Sequence, residues 1–278
     1  MKARLGSLFQ KNAHSVPRRL YFEWPRRWRG VFEKRQRVYF VRIGGKRFKR
    51  VVFGDSALAE DVADALGMFS GAGRFPDLIH RHENELLLEF VEGRPFDPAD
   101  SSDRARLAAF MAELWRRSPG EMPRDRSGLD QQLDVDLRFL LDAGVLDAAR
   151  RHALAERAAA VAPETILTGY DYVDPVAKNF VITSESPGLK LAPTLVAIDV
   201  ESLRAGQPMG VGLAQASLRW LAPGDVPVMA SQVAEAGGPD IDAQLDYVRL
   251  ITTVGWTKRK FLQGKTNFIR REHVDALL

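Results

Sequence analysis

Two short segments hold residue types that could carry out group transfer. Tyr172-Val-Asp-Pro-Val-Ala-Lys-Asn179 puts an acid and an amide in one stretch, and Ile198-Asp-Val-Glu201 adds two more acids. Phosphoryl transfer to an alcohol needs such a set. One carboxylate orients the attacking hydroxyl and accepts its proton, and hard oxygen ligands hold magnesium against a triphosphate. An Asp-x-x-x-x-Asn spacing occurs often by chance. Its position here sharpens it. Asn179 runs straight into an apolar strand, Phe180 to Thr183, then a turn around Pro187-Gly188, and the returning strand Thr194 to Ile198 delivers Asp199. A loop leading into a hairpin can therefore bring Asp174, Asn179 and Asp199 together. The competing reading is turn chemistry that merely caps a hairpin.

Other chemistries find little support. The chain has no cysteine, which removes disulfides, thiolate catalysis and cysteine zinc sites. Of five histidines only His80 and His82 are close. Alternate strand residues share a face, but no further ligand spacing accompanies them, so solvated histidines are the preferred reading.

The elements that must position these residues follow from periodicity. Val38 to Ile43 is rich in β-branched and aromatic residues, Gly44-Gly45 forms a two-residue turn, and Lys46 to Phe53 returns. Arg29 to Phe32 is a candidate strand before them. Ser56 to Phe69 has helical spacing, with Ser56 at the expected N-cap. His80 to His82 and Leu86 to Val91 read as two further strands. Helical patterns then cover Ser102 to Arg117, residues 129–143 and 145–161, and most of 209–278. Only the hairpin at 180–198 interrupts them as a β island. The division predicted is a basic N-terminal extension (1–27), a β-rich N-lobe (28–92) and a helical C-lobe carrying the loop and hairpin (93–278).

Charge is unevenly spread. Residues 1–50 carry sixteen basic side chains against Glu23 and Glu33, a balance of +14; with a total of +4, the remainder carries −10. Such asymmetry suits an anionic partner or a solvated basic face. No apolar run approaches the ~20 residues that span a bilayer, and the basic start lacks the apolar stretch of a signal peptide. The expectation is a cytoplasmic protein, with a position peripheral to the inner membrane compatible with the basic segment.

The pattern Asp174, four residues, Asn179, hairpin, Ile-Asp-x-Glu is similar to that of the aminoglycoside/choline phosphotransferase-like family, which has a kinase-like fold. Members usually read His-x-Asp, four residues, Asn, then Ile-Asp-x-Glu after a hairpin. The resemblance implies Asp174 as catalytic base, Asn179 as a magnesium ligand and Asp199 as the main magnesium ligand, with Glu201 matching an acid of less defined role. A second stretch, Leu86-Leu-Leu-Glu-Phe-Val-Glu-Gly-Arg-Pro95, resembles the family's connector between lobes. Read as an edge strand, it would offer free backbone groups to adenine, with the purine anchored at Glu89 and Val91. Kinase-like enzymes also hold phosphates with a strand lysine paired to a helix glutamate. Lys49 and Glu60 are the candidates, with Arg50 as a competing register and Asp61 and Asp64 as competing acids.

The chain departs from the pattern in places. Tyr172 stands where the family has His, and Val176 where protein kinases have Lys. There is no Asp-Phe-Gly or Ala-Pro-Glu, which argues against a protein kinase. No Gly-rich loop precedes the second strand, so Glu33-Lys-Arg-Gln36 would have to cover the phosphates. The resemblance spans about residues 28–220. It implies an α+β, two-lobed protein-kinase-like fold with a small antiparallel β N-lobe and a larger, mainly helical C-lobe. The implied activity is an ATP-dependent phosphotransferase using magnesium, the acceptor being a small-molecule or sugar/lipid hydroxyl. An anionic acceptor and an anionic membrane surface are both compatible with the basic segment. No RNA-binding signature is present. The rival expectation is a pseudokinase or nucleotide-binding module without turnover.

Overall fold

Gly44 and Gly45 both take positive φ, 56° and 80°. That geometry matches the right-handed twist of two flanking strands, and glycine adopts it without a Cβ clash. The turn therefore closes a hairpin between β1 (Arg37–Ile43) and β2 (Lys46–Val52), with Ile43 opposite Lys46 and Tyr39 opposite Arg50. The structure is a computed structural model that describes residues 37–183, 193–269 and 271–278. The expected basic extension, the strand at Arg29 to Phe32, the Glu33 to Gln36 cover and the turn around Pro187-Gly188 lie outside the described residues.

The chain divides into two compact units. The first comprises Met1–Arg94 with Val181–Glu201, and the second Pro95–Phe180 with Ser202–Leu278. The segment 181–201, which the sequence division groups with the helical lobe, is thus counted with the β-rich unit.

In the first unit, β1, β2, β3 (Leu78–His82) and β4 (Glu85–Glu89) form an antiparallel sheet in the order β1-β2-β4-β3. This corrects the expectation of an edge strand: β4 is flanked on both sides. Leu88 pairs with Lys49 on one side and with Leu78 on the other, and Glu89 N–H donates to the Asp77 carbonyl at 2.9 Å. Leu86, Leu87 and Leu88 are all buried, as an inner strand covered on both faces requires. Helix α1 (Ser56–Met68) buries Ala59, Val62, Ala63, Ala65 and Leu66. Its N-cap is Asp55, not Ser56, and the Asp55 carboxylate accepts from Leu58 N–H at 2.7 Å. An aspartate one residue earlier outcompetes serine because Ser56 already has helical geometry. The chain leaves the unit within β5 (Arg94–Pro95) and rejoins it at Val181.

The second unit is mostly helical. Its helices are α2 (Ser101–Arg116), α3 (Arg124–Ser127), α4 (Leu129–Asp142), α5 (Ala148–Val161), α6 (Val211–Ser217), α7 (Asp225–Glu235), α8 (Asp242–Leu262) and α9 (Arg271–Asp275). Periodicity locates most of the longer ones because each buries one stripe. Leu133, Leu137 and Leu140 of α4 meet Leu154 of α5 and Leu250 and Val254 of α8 in one apolar cluster. Each such fully buried aliphatic side chain contributes about 1.5–3 kcal/mol.

One expectation fails in this unit. The 180–198 hairpin is not the only β structure after residue 95. Strands β6 (Gly120–Pro123), β7 (Thr165–Tyr172) and β10 (Leu203–Pro208) form a sheet with β7 in the centre. Burial explains the miss. β7 buries five of its eight residues without alternation, and the buried set includes Thr168, Gly169 and Asp171, so neither a period of two nor an apolar run marks it. Gln244 locks β7 from the side: its amide accepts from Leu167 N–H at 2.7 Å and donates to the carbonyls of Leu167 and Met209. The remaining strands, β8 (Phe180–Ile182) and β9 (Leu195–Ala197), form the predicted hairpin.

Candidate active site

The loop that holds Asp174 starts where β7 ends, and it is anchored from below. Asp171, fully buried, accepts backbone N–H groups from Tyr172 at 2.7 Å and from Gly210 and Gly212 at 3.1 Å each. These bonds tie the last turn of β7 to the start of α6. Gly212 is required there, since a Cβ would lie 2.6 Å from an Asp171 carboxylate oxygen and 2.8 Å from the Tyr172 carbonyl. Desolvation pushes the Asp171 pKa up to about 6, against the lowering effect of the three backbone N–H donors and the Trp115 side chain. Sequence reading passed over Asp171, because nothing local distinguishes a buried anchoring acid from an exposed one.

Tyr172 fills the position expected for histidine. Its ring is fully buried and meets Phe110 edge-on, centroids 5.8 Å apart, and Phe180 at 5.1 Å. Phe96 and Trp220 extend the cluster. Trp220 Nε1 donates to the Pro175 carbonyl at 2.7 Å, holding the residue next to Asp174. The loop closes on itself. Val176 N–H donates to the Asp174 carbonyl at 2.8 Å, Asn179 N–H to that of Val176 at 2.8 Å, and Asn179 Nδ2 to that of Asp174 at 3.0 Å. Asp174 and the buried Asn179 are therefore held in one rigid turn, ending in the 3-10 segment Ala177–Asn179. The Asp174 carboxylate stays partly accessible and forms an ion pair with Arg219, which sequence reading did not single out.

The β-rich unit carries a second group. Lys49 is nearly buried, and its Nζ donates to the Ile198 carbonyl at 2.5 Å. Ile198 immediately precedes Asp199. Glu201, also buried, has its pKa raised by desolvation and then by the Asp199 charge, while the Lys49 charge acts to lower it. Lys49, Asp199 and Glu201 are thus electrostatically coupled. Strand alternation selects between the competing registers. Lys49 shares a face with buried Val51, whereas Arg50 points to the other face and forks onto Glu85, with Nε donating at 3.1 Å. Glu60 does not pair with Lys49. It lies on the exposed side of α1, where its carboxylate accepts from Arg81 at 3.2 Å, and Asp61 and Asp64 are exposed as well. The partner of Lys49 is the Ile198–Glu201 segment, a pairing across 149 residues that no helix or strand period could reveal.

At the connector, Glu89 N–H is committed to Asp77, and Val91 stands beyond the last ladder pair of β4. Gly93 ends it. A Cβ there would sit 2.2 Å from the Ile182 carbonyl, so the close approach needs glycine.

Magnesium can be weighed against this donor set. Among the described residues no group of three or more His, Asp or Glu side chains is placed to hold a metal. Magnesium typically uses one or two carboxylates together with substrate phosphates. Asp199 and Glu201 stand two residues apart, and the Asp199 charge raises the Glu201 pKa; a divalent cation would relieve that repulsion, so the residues fit. Among the described residues no helix is long and apolar enough to cross a membrane.

No family model matches the sequence, and no curated protein matches it. Solved structures do. The choline kinase LicA from Streptococcus pneumoniae aligns with a TM-score of 0.58 at 16% identity, over 89% of this chain and 91% of that one. The aminoglycoside phosphotransferase APH(4)-Ia, in a ternary complex with ADP and hygromycin B, aligns with a TM-score of 0.58 at 13% identity, over 90% and 92%. The macrolide 2'-phosphotransferase MphH from Brachybacterium faecium aligns with a TM-score of 0.56 at 14% identity, over 99% and 98%. With its antiparallel β-rich unit and its helical unit, the chain has the kinase-like fold shared by these choline, aminoglycoside and macrolide phosphotransferases.

Proposed function

We propose that this chain is an ATP-dependent phosphotransferase that moves the γ-phosphate to a hydroxyl acceptor. The observation that carries the reading is the coupling of buried Lys49 to the Asp199–Glu201 segment. A buried lysine held against a backbone carbonyl beside two acids has little structural purpose, and it suits a triphosphate with its metal. The rigid turn holding Asp174 and Asn179 adds to it, as does the fold.

In this reading Asp174 receives the acceptor hydroxyl as a hydrogen-bond donor. The hydroxyl oxygen forms a bond to the γ-phosphorus, the bond from that phosphorus to the β-bridging oxygen breaks, and its electron pair leaves with ADP. The hydroxyl proton passes to an Asp174 carboxylate oxygen. Lys49 binds phosphate oxygens. Asn179 and Asp199 would hold magnesium, which when bound neutralises charge on the triphosphate. The connector around Glu89 and Val91 receives the purine. With Glu89 N–H already bonded, its carbonyl and the Val91 backbone are the groups left for that task.

One observation favours a second reading, a nucleotide-binding module without turnover. Arg219 occupies the Asp174 carboxylate that a hydroxyl would need. Thermal unfolding with and without magnesium-ATP and magnesium-GTP tests binding, because a ligand specific for the native state raises the melting temperature by mass action. Silence at millimolar nucleotide counts against both readings. Asp174→Asn separates them. Turnover on an acceptor panel is expected to fall by about 10²–10⁴ while nucleotide affinity holds. Nucleotide binding without turnover on any acceptor, in the unmodified protein, selects the second reading.

A further inference from the structure

The surroundings of Asp174 in the helical unit are cationic. Arg219, in the turn after α6, pairs with it. Arg259 and Lys260 come from the last turn of α8, and Lys265 follows, with its backbone N–H bonded to the Lys260 carbonyl at 2.9 Å. The Lys260 ammonium lies over two rings, 5.2 Å from the Trp256 centroid and 5.4 Å from that of Phe268, which holds it in place.

Basic residues in a final helical turn commonly serve only to balance the helix dipole. That accounts for the positions of Arg259 and Lys260 on α8. It does not account for Arg219, which comes from another element, or for the lack of counter-charge. Lys258, on the same turn, is neutralised by Asp136 at 2.6 Å, and Arg249 on the same helix by Asp246 at 3.2 Å. Among the described residues Arg259, Lys260 and Lys265 form no ion pair with a carboxylate. The cations also oppose one another. After desolvation, Arg219 is what most lowers the Arg259 pKa, and Lys265, Arg219 and Arg259 act likewise on Lys260, with Asp174 the only opposing charge on either. Arg219, Arg259 and Lys260 against the single carboxylate of Asp174 leave a surplus of two positive charges, which a bound dianion would remove.

Resting on the phosphotransferase reading, we propose that the hydroxyl acceptor itself carries a phosphate ester, bound by Arg259 and Lys260 with Lys265, while Arg219 swings from Asp174 toward that phosphate. A dianionic phosphate matches the surplus better than a carboxylate does, and guanidinium groups bind phosphate through paired N–H donors. Binding would release Asp174 for the hydroxyl. Transfer then proceeds at a separate oxygen of the acceptor: that oxygen gains the γ-phosphorus, its proton goes to Asp174, ADP departs with the electron pair, and the acceptor's existing phosphate is unchanged.

The test is calorimetric titration with inorganic phosphate, glycerol 3-phosphate and glucose 6-phosphate. Glycerol, glucose and choline serve as uncharged or cationic counterparts, and each titration is run with and without magnesium and a non-hydrolysable ATP analogue. A separate arm uses phosphatidylglycerol vesicles to tell a lipid headgroup from a soluble ester. The phosphate compounds are expected to bind and their counterparts not to. Arg259→Ala and Lys260→Ala should each weaken phosphate binding by about ten- to a hundredfold while leaving affinity for the nucleotide analogue unchanged. Three results would overturn the inference: phosphate compounds that bind no better than their counterparts, no response to inorganic phosphate, or variants that weaken nucleotide binding instead. Failure of the nucleotide analogue to bind would refute the phosphotransferase reading, and the titration without nucleotide would still judge the cationic cluster on its own.

Discussion

Asp171 sets two physical effects against each other, and replacing it with asparagine separates them. Hydrogen-bond counting says that Asp171→Asn is harmful. One carboxylate oxygen accepts from Tyr172 N–H, and the other from Gly210 and Gly212. Asparagine keeps one acceptor oxygen, so its better rotamer serves the two glycines and turns NH2 toward Tyr172 N–H, costing about 1–3 kcal/mol. Burial says the opposite. The folded-state pKa of about 6, against an ordinary 3.8, means that the fold disfavours the ionised form even with all three donors in place. A raised carboxylate pKa makes the native state bind a proton more tightly than the unfolded chain, so stability falls as pH rises from the unfolded pKa to the folded one. Between about pH 4.5 and about pH 7.5 this group alone should withdraw about 2 kcal/mol. Asparagine does not titrate. Urea unfolding of both proteins across that range should therefore show the unmodified protein losing about 2 kcal/mol relative to Asp171→Asn as pH rises. At neutral pH the two effects nearly cancel. Parallel stability curves would refute the argument, as they would mean that Asp171 is solvated or stays ionised throughout. Asp171→Ala is the companion variant: it leaves three buried N–H groups without their acceptor and should cost about 3 kcal/mol or more at any pH.

The remaining predictions concern the proposed nucleotide site and its connector. Lys49→Met should weaken magnesium-ATP binding by about tenfold or more, whereas Glu60→Gln, measured by the same calorimetry, should leave it unchanged; the reverse order would restore the pairing expected from sequence. Asp199→Ala should remove the magnesium dependence of nucleotide-induced thermal stabilisation, and retention of that dependence in a folded variant would exclude Asp199 as a ligand. Gly93→Ala should destabilise the protein by about 1–3 kcal/mol in denaturant unfolding, because the added methyl has to displace the Ile182 carbonyl and the Val181 side chain; a neutral effect would mean that the connector yields freely.

What could be read from the sequence was local. The Gly44-Gly45 hairpin, the helix over 56–68 and the β8–β9 hairpin announce themselves because a turn residue or an amphipathic period acts over a few positions. Asp174 and Asn179 could be assigned to one loop for the same reason: five residues cannot separate far. The resemblance of these motifs to the aminoglycoside/choline phosphotransferase-like pattern is what anticipated the kinase-like fold. Sheet order could not be read the same way. That β4 lies between β2 and β3, with its Glu89 N–H consumed, depends on which strands find each other, and an inner strand and a short edge strand share the same apolar composition. β7 stayed hidden because burial on both faces erases alternation. Charge pairing was least legible of all. Lys49 chose the segment at Ile198 over Glu60, and Arg219 chose Asp174, because a long side chain pairs with whatever carboxylate or carbonyl the folded backbone brings within reach, and chain separation carries no trace of that distance. Residue types and local periods decided which chemistry and which elements this chain contains. Long-range packing decided which charges are buried, which acids share a field, and which lysine faces them, since desolvation and Coulomb energy depend on the spatial neighbours that tertiary structure alone supplies.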